Sequence, residues 1–277
     1  MSRLDNLRFL IIGDSLLAES FQEYLQSLQL DVTFFKSLDA FQKASYDVIS
    51  IFLKDDTLES KSSIIKAVSK VYANALITVS VSGEDLLDIQ KSADGHNVLG
   101  MNLSYPVKAS PFMEIVKTEL NYDAQVKLLE YIGIEKWKLD PYVCNNISAR
   151  SYMLAAMTRE ALNLVDNGYA DAESVDRACR NDAGYYMPFT GNFLYMDLMG
   201  TMAYSLVMKD LNPELAKDTQ LPAWLLDKVG KNEIGMQSNS GMYNYKEGDY
   251  EAWNKIVDEF SKDIRQLIDK YKKDYQE

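Results

Sequence analysis

The first half of the chain alternates short apolar runs with longer stretches in which apolar residues recur at helical spacing. The stretch Thr57–Val71 shows this spacing, since Ile65 and Val68 fall on one face of a helix. Five apolar runs predict strands: Phe9–Ile12, Val32–Phe35, Val48–Leu53, Leu76–Val81 and Val98–Leu103. Buried strands separated by helices are typical of βαβ units, so this half predicts a mostly parallel sheet.

The first half closes with one further predicted strand, "FMEIVKTE", and a predicted helix, Asp123–Ile132. The second half of the chain carries helical patterns, and no strand pattern of any strength follows about residue 141. Its predicted helices are Ile147–Asp166, Asp171–Arg180, Leu194–Met208, Pro222–Lys231 and Tyr250–Tyr275. We therefore predict an α/β Rossmann-like domain over residues 1–141 and an all-helical domain over residues 142–277. The proline of "KLDPYVCN" marks the boundary.

Composition narrows the class of protein. Hydrophobic residues make up 47% of the 277 positions, which is enough for a packed core. The formal charge of −12 disfavours nucleic acid as a partner, because an acidic surface repels phosphate. Cys144 and Cys179 have no metal-type spacing, so we expect neither zinc nor a disulfide framework. The N-terminal apolar run is too short for a secretion signal, and no run is long enough to span a membrane. We therefore expect a cytoplasmic protein.

The turn after the first predicted strand, in "RFLIIGDSLLAESF", is similar to a dinucleotide-binding fingerprint. That fingerprint wants three glycines, and the sequence offers Gly13, Ser15 and Ala18. Alanine is accepted at the third position, but the Cβ of Ser15 points to where phosphate oxygens would lie. Asp14 adds a negative charge beside that ligand unless its side chain turns away.

A cation follows the second predicted strand, where NAD-binding domains usually carry an acidic residue. Lys36 in "DVTFFKS" would accept the 2′-phosphate of NADP, so NADP is favoured over NAD; alternatively, Lys36 is a solvated surface lysine. The candidate cofactor-binding residues are Gly13, Asp14, Ser15, Leu16, Leu17 and Lys36.

The segment Arg159–Gly200 and the later "LLDKVGKNEIGMQSNSGMYNY" carry family-like motifs. They resemble the C-terminal domain of the short-chain L-3-hydroxyacyl-CoA dehydrogenases, including the lambda-crystallin and L-gulonate 3-dehydrogenase group. The matching residues are Glu160, Ala161, Gly168, Gly191, Phe193, Asp197, Gly200, Gly235, Ser238, Gly241, Tyr243 and Tyr245. Asn192 replaces a family proline. In the first domain, "GMNLSYPVKASPFMEIV" resembles the family's "GLHFFNPV" segment.

The resemblance implies an NAD-binding Rossmann domain and a helical domain that forms a homodimer. It also implies a catalytic histidine, a glutamate that orients it, and a serine and an asparagine that position the substrate. The histidine falls on Asn102, and an amide is no general base near neutral pH. The glutamate is retained as Glu114.

The other two implied positions depend on the register of the alignment. Counting back from Asn102 puts the family serine at Val81, and a one-residue shift places it at Ser80 or Ser82. The asparagine falls on Ser151 or on a nearby polar residue. The only histidine, His96, precedes the fifth predicted strand and is expected in a surface loop. We therefore take Asn102, Glu114, Ser82 and Ser151 as the candidate catalytic residues.

Two departures from the family concern length. The family's long arm between the second and third strands, which grips CoA, is reduced to "KSLDAFQKAS". Residues Glu247–Glu277 extend past the family's usual end, and their apolar face is expected to be buried on the second domain or across a dimer.

Two functions follow as hypotheses. The first is an NAD(P)-dependent oxidoreductase for a small hydroxy acid or ketone, in which water, Tyr105 or Lys108 delivers the proton. The second is a non-catalytic binding or scaffold protein that kept the fold and the dimer, because four parts of the ancestral function have changed together.

Overall fold

The computed structural model describes residues 6–37 and 44–272. The chain forms two compact units, Met1–Tyr152 and Met153–Glu277. The expected boundary at residue 141 falls inside the last strand of the first unit, whereas the compact units divide within a later helix.

The first unit is built on a seven-stranded sheet in the order β2-β1-β3-β4-β5-β6-β7. Its strands are β1 Arg8–Ile12, β2 Asp31–Phe35, β3 Val48–Ile51, β4 Leu76–Val79, β5 Leu99–Leu103, β6 Phe112–Lys117 and β7 Asp140–Asn145. All neighbouring strands pair in parallel except β5 and β6, which are antiparallel. The predicted Rossmann-like sheet and its six predicted strands are confirmed.

The strand β7 is one that the apolar pattern does not predict. Its residues are mostly half-buried or exposed, and its second residue is Pro141. Proline donates no hydrogen bond to a ladder and is tolerated on a sheet edge. The exposed positions of β7 interrupt its apolar pattern, whereas a continuous apolar run is the signal that predicts the other strands.

Two layers of helices cover the two faces of this sheet. They are α1 Leu16–Ser27, α2 Leu58–Val71, α3 Leu86–Ser92 and α4 Asp123–Tyr131. Phe9 and Ile11 of β1 share one buried cluster with α1 and α4, while Leu10 and Ile12 share another with α2 and α3. Side chains alternate between the faces of a strand. The α2/α3 face is therefore also the face of Asn102, since its neighbours in β5 belong to the first cluster.

Within the described residues, the regular elements of the second unit are helices, as predicted, and the stretch between its last two helices carries two isolated β-bridges. Its helices are α5 Ala149–Asp166, which begins in the first unit, then α6 Ala172–Ala178, α7 Gly184–Met199, α8 Thr201–Leu211, α9 Ala223–Gly230 and α10 Asp249–Lys272. The predicted single helix Leu194–Met208 is wrong, because the chain breaks at Gly200. Its φ of 102° is a conformation that glycine adopts readily and other residues do not.

The two units differ in what they bury. The first contains nearly all of the buried apolar side chains, including Phe9, Phe21, Phe52 and Trp137. Among the described residues of the second unit, Ala216 is the only apolar side chain that is buried. No helix within the described ranges is both long and apolar enough to cross a membrane.

Candidate active site

The turn after β1 is held tightly against the loop that follows β3. The Phe52 N–H donates to the Ile12 carbonyl at 2.9 Å. A Cβ on Gly13, whose φ is 148°, would lie 1.8 Å from the Phe52 carbonyl oxygen. Gly13 is therefore required by the packing of the protein itself, whatever the turn binds.

The two polar side chains of this turn are bonded within the protein. The Ser15 hydroxyl donates to the Phe52 carbonyl at 2.9 Å and accepts from the Ala18 N–H at 3.1 Å, which caps the first turn of α1. Asp14 Oδ1 accepts from the Lys54 N–H at 2.9 Å. Both side chains thus tie the turn to neighbouring backbone, and the Asp14 carboxylate already has a donor.

Two backbone donors remain at the start of α1. Within the described ranges, the N–H groups of Leu16 and Leu17 have no acceptor, as is usual for the first positions of a helix. Such donors form a place where an anion can bind, although the Ser15 hydroxyl has taken the donor of Ala18.

Lys36 follows β2 as predicted, but it is paired. Its Nζ lies 2.6 Å from Glu19 Oε1 of α1. The hydrogen bond and the charge of Glu19 raise the pKa of Lys36. The cation is exposed, and its charge is offset by a neighbour on the helix that begins at the turn.

Asn102 and Glu114 form a hydrogen-bonded pair across β5 and β6. Asn102 Nδ2 donates to Glu114 Oε2 at 2.7 Å and to the Val81 carbonyl at 2.7 Å. Its Oδ1 accepts from the Val81 N–H at 2.9 Å. Both hydrogens of the amide are thus in use inside the protein.

Glu114 is fully buried and surrounded by neutral donors. Its Oε1 accepts from the Tyr142 hydroxyl and from the Arg150 N–H, each at 3.0 Å, and the Ser148 hydroxyl also bonds to it. Burial alone would raise the pKa of Glu114, but the hydrogen bonds from Ser148, Asn102, Arg150 and Tyr142 lower it below its ordinary value. The carboxylate is therefore ionised at neutral pH.

Tyr142 is a donor that holds its proton. Burial and the negative charge of Glu114 raise the pKa of the Tyr142 hydroxyl. The phenol is thus a poor acid and a stable hydrogen-bond donor to the carboxylate.

A second polar cluster surrounds Lys61, whose side chain is fully buried in α2. Its Nζ lies 2.9 Å from Asp56 Oδ1 and 2.6 Å from Glu84 Oε1. Asp56 also accepts from the hydroxyls of Ser80 and Ser82, each at 2.7 Å. Burial would raise the pKa of Glu84, but the bond and charge of Lys61 lower it overall.

The two clusters join through Val81. This residue lies between Ser80 and Ser82 and bonds through both of its backbone groups to Asn102. A polar strip therefore runs from Lys61 to Glu114 on the α2/α3 face, past the carboxyl ends of β3 and β4. We call these residues the polar strip: Asp56, Lys61, Ser80, Ser82, Glu84, Asn102, Glu114, Tyr142 and Ser148. Ligands of open α/β sheets bind at this edge.

Three of the candidate catalytic residues lie in the polar strip, namely Asn102, Glu114 and Ser82. Ser151 does not contact Glu114; the nearby Ser148 does, and the Ser151 N–H donates to the Ser148 hydroxyl at 3.0 Å. His96 lies in the loop before β5, at the opposite edge of the sheet from Asn102.

The residues that sequence reasoning missed are Lys61, Asp56, Glu84, Tyr142 and Arg150. One signal was available for Lys61, which is four positions before Ile65 and seven before Val68. That spacing puts the lysine on the apolar face of its helix, where a buried charge needs partners.

In sequence, the chain is similar to several dehydrogenases. The profile of the 3-hydroxyacyl-CoA dehydrogenase C-terminal domain matches residues 150–245. An L-carnitine dehydrogenase of Pseudomonas syringae is 30% identical over 190 residues, which are 63% of this chain and 59% of that protein. The human mitochondrial hydroxyacyl-coenzyme A dehydrogenase is 24% identical over 204 residues, or 69% of this chain and 62% of that protein.

Residues 150–245 thus match the C-terminal domain of the 3-hydroxyacyl-CoA dehydrogenase family, and a larger part of the chain is similar to dehydrogenases of that kind at low identity. A further relative in sequence is the 5-formyl-3-hydroxy-2-methylpyridine 4-carboxylate 5-dehydrogenase of Mesorhizobium japonicum. It is 28% identical over 152 residues, which are 53% of this chain and 48% of that protein. The matched part of the chain thus spans about half to three fifths of the length of these relatives.

Solved structures of the family share the fold. A 5-formyl-3-hydroxy-2-methylpyridine 4-carboxylic acid 5-dehydrogenase, described as an NAD⁺-dependent dismutase, superposes with a TM-score of 0.81 at 18% identity, covering 95% of this chain and 99% of that chain. A 3-hydroxyacyl-CoA dehydrogenase of Archaeoglobus fulgidus gives 0.64 at 21% identity, covering 94% and 99%. Both carry a Rossmann-like domain followed by a helical one, as this chain does.

Proposed function

We propose that this protein is an NAD(P)-dependent oxidoreductase that acts on a small hydroxy acid or ketone. The observation that carries the proposal is the polar strip. It lies at the carboxyl edge of the sheet, and β3 and its following loop link it to the turn at Gly13. That edge is where the dinucleotides and substrates of such sheets bind.

The substrate class follows from two observations. The relatives named above include dehydrogenases for carnitine and for a pyridine carboxylate, which are small polar molecules. The strands β2 and β3 are joined here by residues 36–47 alone, with no room for a long CoA-gripping arm. A standard CoA thioester is therefore not part of the proposal.

The turn at Gly13 fits a dinucleotide in part. The free N–H groups of Leu16 and Leu17 would hold phosphate oxygens at the start of α1. Asp14 is turned to the Lys54 N–H, which reduces its repulsion of a phosphate. Lys36 would serve NADP if it exchanged its contact with Glu19 for the 2′-phosphate. These residues are the proposed cofactor site, and a bound dinucleotide would supply the hydride.

The residues of the polar strip do the remaining work in this proposal. Asn102 cannot act as a base, and both of its hydrogens are engaged, so it fixes Val81 and Glu114 in place. Ser82 is exposed, and its hydroxyl, which donates to Asp56, keeps free lone pairs for a substrate hydroxyl. In the direction of reduction, water at this exposed position delivers the proton.

One observation favours the alternative, a non-catalytic binding or scaffold protein. Ser15 and Asn102 stand at positions of the cofactor and the base, and both are fully used in bonds within the protein. Side chains that serve only the fold are expected where selection on chemistry has ended.

Thermal unfolding with NADH and NADPH separates the two functions. A dinucleotide at about 100 times its dissociation constant stabilises the folded protein by roughly 2.7 kcal/mol. We expect this shift with at least one dinucleotide, and with NADPH in preference to NADH. The absence of any shift at millimolar concentration of both would leave the scaffold function as the conclusion.

The proposal includes a homodimer through the second unit. The exposed apolar side chains of that unit include Phe193, Leu198, Met202, Leu206 and Phe260. A unit that buries almost no apolar side chain of its own needs another surface to cover it. A cytoplasmic location without nucleic acid as partner completes the proposal.

A further inference from the structure

Arg150 presents a charged group beside the polar strip. Its backbone N–H donates to Glu114, and its Cζ lies 5.4 Å from the centroid of the Phe112 ring. Phe112 lies two residues before Glu114 in β6, so both side chains point to the same face of the sheet. The guanidinium therefore lies near Phe112, on the strand that also carries Glu114, beyond the point where β5 has ended at Leu103.

The guanidinium has no acceptor in the described part of the chain. None of the ion pairs or side-chain hydrogen bonds there uses its N–H groups, although the guanidinium offers five of them in a planar fork. By contrast, Arg8 also lies over a ring, that of Tyr46 at 5.2 Å, but it is paired with Asp31 at 3.4 Å. Arg150 is half-buried, lies over an aromatic ring and has no carboxylate partner among the described residues.

The charges around Arg150 leave its donors available. Glu114 takes its hydrogen bonds from neutral groups: Asn102, Tyr142, Ser148 and the Arg150 backbone. The charge of Arg150 acts on Tyr142, where it opposes the rise in the pKa of the hydroxyl. A planar cation held over an aromatic ring, with its donors available, suits a planar anion with two oxygens.

We propose that Arg150 binds the carboxylate of the substrate and thereby selects small carboxylic acids over their neutral counterparts. That the bound acid is a substrate rests on the proposed function, whereas the anion site itself is defined by the geometry of Arg150 and Phe112. The bidentate contact fixes the acid at one end, so that its hydroxyl or carbonyl group reaches toward the polar strip.

The test uses small acids and their neutral counterparts as probes. Acetoacetate is compared with methyl acetoacetate, and isonicotinate with isonicotinamide, by calorimetric titration with and without NADH. We expect Arg150→Gln to weaken binding of the acids by about 10- to 100-fold, because a charged bidentate contact is lost. Arg150→Lys should restore part of the affinity. Arg8→Gln is the matched control, because Arg8 also lies over an aromatic ring in the same unit. It should leave acid binding unchanged.

The outcomes separate this inference from the proposed function. If neither acid binds, if the neutral probes bind as well as the acids, or if Arg150→Gln binds the acids like the parent protein, the inference is overturned. If Arg150→Gln instead loses NADH or NADPH, Arg150 serves a cofactor phosphate and the inference also fails. If acids bind through Arg150 while neither dinucleotide binds, the carboxylate site stands and the oxidoreductase function falls.

Discussion

The first unit buries charges, whereas the second unit exposes hydrocarbon. Lys61 and Glu114 are fully buried in the first unit, and each is surrounded by partners. In the second unit, Leu198 and Met202 are more than 70% exposed. A buried charge is tolerated only with its partners in place, and an exposed apolar surface persists only when something else covers it. The first unit therefore has its own core, whereas the exposed apolar side chains of the second are those that the proposed dimer would cover.

The largest expected effect concerns the exposed apolar surface of the second unit. Leu198→Asp or Phe260→Asp would put a carboxylate into the proposed dimer surface, where an unpaired buried charge costs several kcal/mol. We expect the dissociation constant of the dimer to rise by about a thousandfold or more, measured by sedimentation velocity over a range of concentrations. Lys255→Asp, which changes an exposed residue of α10 away from its apolar face, is the control. A parent protein that is monomeric at all concentrations would contradict the proposal.

The next largest effect concerns the buried charges of the first unit. Glu114→Ala would leave the donors of Asn102, Tyr142 and Arg150 without their acceptor in a buried place. At about 1 kcal/mol or more for each such donor, we expect a loss of about 3 kcal/mol in the free energy of unfolding. Urea unfolding measures this loss. Glu119→Ala, an exposed glutamate after β6, should change it by less than about 0.5 kcal/mol, and equal losses for the two variants would show that the network is unimportant.

A smaller effect concerns pH. The pKa of Glu114 is lower in the folded protein than the ordinary value of 4.5, so its ionised form stabilises the fold. This contribution is fully present above pH 4.5 and is lost as the pH falls through the lower pKa of the folded state. The pKa of Glu84 is also lowered, so acid removes stability through that group as well. The difference in unfolding free energy between the parent protein and Glu114→Gln isolates the contribution of Glu114. Unfolding free energies from pH 7 to pH 3 should converge for the two proteins, and parallel curves would refute the assignment.

The smallest effect sharpens the proposal for the cofactor turn. Glu19→Gln removes the partner of Lys36, and an exposed ion pair contributes about 1 kcal/mol or less. NADPH binding should therefore tighten a few-fold, while NADH binding stays the same. Lys36→Asp should weaken NADPH alone. Fluorescence titration of both dinucleotides checks this, and equal changes for NADH and NADPH would remove Lys36 from the site.

Much of the fold could be predicted from the sequence because its signals are local. The strands β1 to β6 carry short apolar runs, and helices such as α2 and α4 show their period within a few turns. The edge strand β7 and the break at Gly200 were missed for opposite reasons. The wet edge weakens the apolar pattern of β7, and the apolar pattern on both sides of Gly200 hides the break.

The candidate site was predicted as far as motifs reach. The family resemblance pointed to Asn102 and Glu114, which fall within two predicted strands, and the structure brings their side chains into contact. The cluster around Lys61 was missed because its partners are 5 and 23 positions away and belong to different loops. The free guanidinium of Arg150 was missed because a stretch of sequence shows a charge without showing what surrounds it.

The bonds of Asn102 have a consequence for how this chain can change. Pairing of β4 with β5 ends at Val79, and beyond it the Asn102 amide meets both backbone groups of Val81 as a strand residue would. An amide carries its donor and acceptor side by side, whereas the two nitrogens of an imidazole point in different directions. A histidine at this position could not make both bonds to Val81 at once, so we expect Asn102→His to loosen the loop after β4 from the end of β5. A general base cannot be added here by one substitution without giving up contacts that hold the polar strip together.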